Sequence, residues 1–152
     1  MEIRLANSSD AAALVAFNQA MAHETEGKTL DEGKITPGVA AVFEDQNKGF
    51  YVVAEQDEKI VGGLMVTCEW SDWRNAWFWW IQSVYILPEA RGTGLYRRMY
   101  DFVKERAREA GNVCGFRLYV ETDNTHAQRV YSGVGMSQSH YLMYEEESEP
   151  PA

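Results

Sequence analysis

Apolar and polar residues alternate in EIRLA (2–6), the mark of a short strand with one buried face. The period then lengthens. Leu14, Phe17 and Met21 recur at helical spacing in NSSDAAALVAFNQAMAHET (7–25), which predicts an amphipathic helix. Ser8 or Ser9 can cap it, and Asp10 suits its positive end. Gly27 interrupts the pattern, and GKTLDEG (27–33) reads as a loop. Helical spacing resumes in PGVAAVFEDQN (37–47) from Pro37, a residue that fits a first helical turn, and ends at Gly49.

FYVVAE (50–55) and IVGGLMVTCEW (60–70) predict strands joined by the turn QDEK. The polar turn SDWRN leads into AWFWWIQSVYIL (76–87), a long aromatic strand, and adjacency makes the three an antiparallel meander. After Pro88 and a glycine turn, LYRRMYDFVKERAREA (95–110) places Leu95, Met99, Phe102, Val103 and Ala107 on one stripe, so it is a helix packed on a sheet, stopped by Gly111. GFRLYVE (115–121) predicts a strand, DNTHAQRVYSGVG (123–135) a short helix, and MSQSHYLMYEE (136–146) a closing strand. This mixed order implies an α/β sandwich around a mixed sheet, in a single domain over 1–146. An acidic tail over 147–152 is expected to be disordered.

Composition narrows the function. At 152 residues the chain can bury a sizeable core without disulfides or metal. The net charge is -9, and removing Glu145, Glu146, Glu147 and Glu149 leaves -5. A nucleic-acid partner would call for a basic footprint, so none is expected. An acidic surface serves solubility and also steers a cationic small substrate. Cys68 and Cys114 are far apart within strand patterns, and are expected to be buried free thiols. The N-terminus shows no signal-peptide pattern, and no apolar run reaches membrane-span length, so a cytoplasmic protein without membrane association is expected. His23, His126 and His140 lack metal-ligand spacing, and no metal is implied.

The stretch SVYILPEARGTGLYRRMYDF (83–102) carries the chemistry. The first amides of a helix are unpaired and lie at the positive end of its dipole, and glycines let a phosphate approach them closely. Gly92, Thr93, Gly94, Leu95, Tyr96 and Arg97 would offer amides, with charge from Arg91 or Arg97. A tight turn with no ligand is the alternative. The Walker pattern is absent, and Arg97 stands where a dinucleotide fingerprint needs its third glycine.

A strand, then arginine, two residues and glycine, then an amphipathic helix resembles the coenzyme A motif of the GNAT superfamily of N-acetyltransferases. Arg91 and Gly94 match its first two fixed positions, and Tyr96 stands where Gly or Ala is usual. Asn124, Ala127 and Tyr131, followed by GVGM, match a second motif of that family. The element order agrees over nearly the whole chain. The resemblance implies a mostly antiparallel central sheet of about six or seven strands flanked by about four helices. It implies acetyl-CoA as co-substrate and direct attack by an amine. It places Val84 and Ile86 against the pantetheine arm in a gap between splayed strands, with an amide near Val84 polarising the thioester carbonyl. It gives Asn124 a contact to the arm and makes Tyr131 the acid that protonates the departing thiolate. A homodimer through sheet edges is a further implication.

The base is open. No carboxylate lies on the aromatic strand, where only Gln82 is large and polar. Glu24 and Glu26 near the first helix's end, or Glu69 and Asp72 beside the aromatic strand, are the candidates, acting through water. All five tryptophans fall between 70 and 80. Trp70 and Trp73, with Glu69 and Asp72, would suit an organic cation, whereas Arg74 in the same turn would suit a carboxylate. The leading expectation is an N-acetyltransferase of a small amine. A protein or peptide acetyltransferase and a non-catalytic acyl-CoA-binding module are the alternatives.

Overall fold

The structure is a computed structural model that describes residues 1–149. Residues 150–152, the end of the expected acidic tail, lie outside the described residues. The chain forms two compact units, residues 1–119 and the residues from Val120 onward.

The first unit runs β1 (Glu2–Leu5), α1 (Ala11–Glu26), α2 (Glu32–Glu44), β2 (Phe50–Gln56), β3 (Lys59–Ser71), β4 (Ala76–Ile86), α3 (Leu95–Ala110) and β5 (Val113–Leu118). The strands lie in sequence order in one five-stranded sheet. Successive strands are antiparallel until β4 and β5, which are parallel. That change follows from α3, because a parallel neighbour requires a crossover long enough to hold a helix. The helices cover opposite faces. A Cβ on Gly62 would sit 3.4 Å from Leu95 and Met99 of α3, and one on Gly63 would sit 3.0 Å from Leu14 of α1. Leu14, Val39, Tyr51 and Val53 form the core on the α1–α2 side. Leu95, Met99, Val103 and Ala107 are buried as the stripe on α3 predicts, and Tyr96 and Tyr100 join them.

The mixed, mostly antiparallel sheet is as expected, with five strands instead of six or seven. The missing element is the closing strand over 136–146, which forms no ladder. A strand needs a partner for its backbone groups. Here a polar run precedes four consecutive apolar residues, Tyr141 to Tyr144, so no alternation commits one face to a core; all four are exposed. The second helix starts five residues before Pro37, at Glu32, because the Asp31 side chain caps it by accepting from Gly33 N at 2.8 Å. Pro37 lies inside the helix. Both cysteines are free but exposed, not buried. Cys68 lies on the part of β3 that runs beyond its pairing with β2, and Cys114 is on the edge strand.

The second unit contains α4 (Thr125–Gly133), capped by Asn124, whose Oδ1 accepts from Ala127 N at 3.1 Å. Among the described residues no helix is long and apolar enough to cross a membrane.

The chain's first turn is fixed by charge. Asn7, not Ser8 or Ser9, caps the 3-10 turn before α1, and Asp10 returns the bond by accepting from Asn7 N at 2.9 Å. Asp10 is 5% exposed. Arg4 reaches it with two donors, at 2.8 and 3.0 Å, and also donates to Glu55 at 2.7 Å, joining β1, the turn and β2. The Arg4 hydrogen bond holds the Asp10 carboxyl below its ordinary range. Breaking a fully buried pair costs about 3–5 kcal/mol; with the Arg4 side chain 24% exposed, Asp10→Asn is predicted to cost about 2 kcal/mol at neutral pH in a denaturant melt. A depressed carboxyl stabilises above its unfolded pKa, so the difference between the two proteins should persist to about pH 4 and vanish as pH falls through the folded-state value.

Candidate active site

The site begins with an irregularity in β4. Between the pairs Gly63↔Tyr85 and Met65↔Gln82, β3 has one residue, Leu64, and β4 has two, Ser83 and Val84. This is a β-bulge, and the extra residue leaves the ladder. Ser83 takes a left-handed φ of 53°, uncommon for a residue with a side chain. The bulge coincides with a second break. The parallel ladder of β4 with β5 ends at Ile81↔Leu118, so among the described residues no strand pairs with that edge over 82–86. Val84 and Ile86 therefore lie where an extended ligand could take backbone hydrogen bonds. The glycine pair Gly62–Gly63, set in a strand pattern, was the signal for a bulge and for close helix approach.

β4 delivers the chain into the glycine turn. Gly92 (φ 73°) and Gly94 (φ 77°) are both left-handed, which a Cβ would disfavour, and nothing lies within 4 Å of where a Cβ would stand. The loop is tied from beneath by Thr93 Oγ1 donating to Ala90 O at 2.7 Å. Gly94 is the N-cap of α3 and offers no side-chain cap, and the first turn contains no acid. It contains Arg97 and Arg98 instead. Two cations at the positive end of a dipole oppose the usual preference, and an anion at that end removes the conflict. The turn therefore fits a pyrophosphate. Tyr96 does not obstruct it. Its ring is buried and stacks on Tyr100 with centroids 6.1 Å apart, on the core side of α3.

Arg91 is already engaged. Its Nη2 donates to Glu24 Oε2 at 3.0 Å, its Nε donates to Ile86 O at 2.8 Å, and its guanidinium lies 5.3 Å from the Tyr85 ring centre. Tyr85 donates its hydroxyl to the other Glu24 oxygen at 2.9 Å. The Tyr85 and Arg91 bonds hold the Glu24 carboxyl low, while burial and the neighbouring carboxylate push the Tyr85 phenol up. Tyr85, next to Val84, has no signature in the sequence that marks it as a partner of Glu24. Gln82, on the same strand as Tyr85, donates to Thr67 Oγ1 on β3 at 2.6 Å.

The aromatic hairpin lies at the other end of the sheet. Glu69 stands opposite Phe78, six residues before Val84, roughly 20 Å away at about 3.3 Å per residue. Its Oε1 accepts from Trp80 Nε1 at 3.0 Å and from Arg117 at 2.9 Å. Arg117 lies 3.5 Å and Arg74 4.9 Å from the Phe78 ring centre, so this aromatic surface has the chain's own cations on it. Trp70 packs edge-on against Trp77, whereas Trp73 is 91% exposed on the turn with Asp72 beside it. The structure thus gathers Val84, Ile86, Arg91 to Arg97, Gln82 and Glu24 at one end of β4. It sets Glu69, Trp70, Asp72 and Trp73 at the other.

Within the second unit Asn124 caps α4, and Tyr131 lies seven residues on, with burial raising its phenol pKa. Such a phenol stays protonated at neutral pH. Among the described residues no cluster of three or more His, Cys, Asp or Glu could hold a metal ion.

Known proteins share this architecture. A structure described as a possible acetyltransferase from Clostridium difficile 630 is 42% identical, with 97% of each chain covered and a TM-score of 0.90. A predicted acetyltransferase with acetyl-CoA from Clostridium acetobutylicum has the same fold at 18% identity, covering 95% of each chain with a TM-score of 0.77. An integron cassette protein from the mobile metagenome of Cole Harbour Salt Marsh matches at 21% identity and a TM-score of 0.85, over 98% of this chain and 91% of its own. No curated protein matches the chain. The model of the acetyltransferase (GNAT) family matches residues 15–136, through the bulged strand, the glycine turn and α4, and the chain belongs to that family.

Proposed function

We propose that the protein is an acetyl-CoA-dependent N-acetyltransferase of a primary amine on a small, cationic acceptor, acting in the cytoplasm. The observation that carries this reading is the continuity of one feature: the edge of β4 opened at Val84 runs into an uncapped, acid-free helix start bearing Arg97 and Arg98. Acetyl-CoA supplies the acetyl group as an activated thioester. The amides from Gly92 to Arg97 hold the pyrophosphate, and Val84 and Ile86 pair with the pantetheine arm. The Val84 amide donates to the thioester carbonyl oxygen, where negative charge builds during attack. Glu24, directly or through a water, takes the proton the ammonium must lose. Gln82 borders the acceptor. Asn124 contacts the arm and Tyr131 returns a proton to sulfur, roles supported by their motif positions and by a phenol that burial keeps protonated.

A cationic acceptor is favoured by the acidic balance of the chain, which steers cations. A homodimer through sheet edges is favoured by β5, an edge strand of the sheet.

Acetyl-CoA and free CoA, but not ATP, should raise the melting temperature saturably, by about 2.7 kcal/mol of stabilisation at ~100 times the dissociation constant. Gly94→Val, which forces a branched side chain into a left-handed position, should remove most of that shift. With an accepted amine, Tyr131→Phe should lower kcat about 100-fold and leave CoA affinity unchanged. Saturable CoA binding with no turnover across a broad amine panel would instead mark an acyl-CoA-binding module.

A further inference from the structure

The group best placed to receive an acceptor cation is already receiving one. Glu24 presents both carboxylate oxygens beside the bulge. One takes the hydroxyl of Tyr85 at 2.9 Å and the other takes Arg91 at 3.0 Å. The Tyr85 ring is buried and lies 5.3 Å from the same guanidinium. A carboxylate, an aromatic ring and a fixed hydroxyl together are what binds an organic cation. The cation there now belongs to the chain. It is also the side chain that occupies the charged position of the coenzyme motif, one residue before Gly92. With Nε on Ile86 O and Nη2 on Glu24, the guanidinium faces Glu24, and turning its two-pronged end to a phosphate draws Nη2 off the carboxylate.

We propose that Glu24 and Tyr85 form the seat of the acceptor's ammonium group, and that Arg91 fills this seat until it turns to a coenzyme phosphate. This rests on the coenzyme reading given above. The two sites then share one cation. When Arg91 moves to phosphate, Glu24 is left with a vacant oxygen, an uncompensated charge and Tyr85 as its orienting partner, and it attracts an ammonium more strongly. Glu24 then trades the Arg91 guanidinium for the acceptor's ammonium, whose proton it is placed to take. Coupling of this kind is reciprocal, so an amine in the seat must favour the coenzyme by the same factor. The ion pair is half exposed, which limits the coupling to the worth of a surface pair.

The test is calorimetric titration of free CoA into wild type, Glu24→Gln, Arg91→Ala and the double variant. Glu24→Gln should tighten CoA binding about 2- to 5-fold, the equivalent of a surface ion pair. The same substitution should change nothing in the Arg91→Ala background, because the competition runs through Arg91. In a second titration, 1,4-diaminobutane should bind wild type several-fold more tightly with saturating CoA than without, and should lose binding in Glu24→Gln. Tightening of equal size in both backgrounds, unchanged or weakened CoA binding, or a diamine affinity indifferent to CoA would overturn the proposal while leaving CoA binding by the wild type intact. A wild type that fails to bind CoA would overturn the coenzyme reading along with it.

Discussion

A strand paired on both edges has no hydrogen bond to offer, so the site depends on where β4 stops being paired. Up to Ile81 the strand is held between β3 and β5. Past it, no strand among the described residues pairs with the β5-side edge. The bulge at Ser83 and Val84 falls at the same place and re-aims the backbone there. The rest of the first unit serves that transition. α3 between β4 and β5 makes their pairing parallel, and Gly62 and Gly63 allow helices to press on both faces beside the bulge.

The charges follow the same geometry. An ordinary helix start would carry a side-chain cap and an acid. The start of α3 carries neither, and has Arg97 and Arg98 in their place. Local stability is set aside at the point where a ligand would restore it, a local inconsistency expected at functional sites. Arg91, Glu24 and Tyr85 show the complementary arrangement, with the chain's own cation and anion neutralising each other beside the open edge. The aromatic hairpin is a separate region, where Arg74 and Arg117 lie over Phe78 and Glu69 ties Trp80 to Arg117.

Much of this was legible in the sequence, for reasons that differ by element. The stripe on α3 and the meander of β2 to β4 follow from periodicity, because burial on one face leaves a direct record in residue order. Gly92 and Gly94 were legible as backbone requirements, and both take left-handed conformations. The start of α2 was obscured because Pro37 looked like a first-turn residue, whereas the Asp31 cap decides the start. A run of apolar residues suggests a closing strand over 136–146, but a strand exists only through its partner. The meeting of Glu24 with Tyr85 joins positions 61 residues apart, and no local pattern records such a contact. The separation of Glu69 from Val84 was hidden for the converse reason, since the length of one strand sets two neighbouring motifs roughly 20 Å apart.

In the proposed function, the freed edge of β4 and the start of α3 form one coenzyme site. The most direct measurement is the backbone amide NMR spectrum during titration with free CoA. A single site of this kind gives saturable shifts clustered at Val84, Ile86 and Gly92 to Arg97, with little change from Trp70 to Arg74. Shifts centred on the hairpin from Trp70 to Arg74, or none at Val84 while the glycine turn responds, would contradict it.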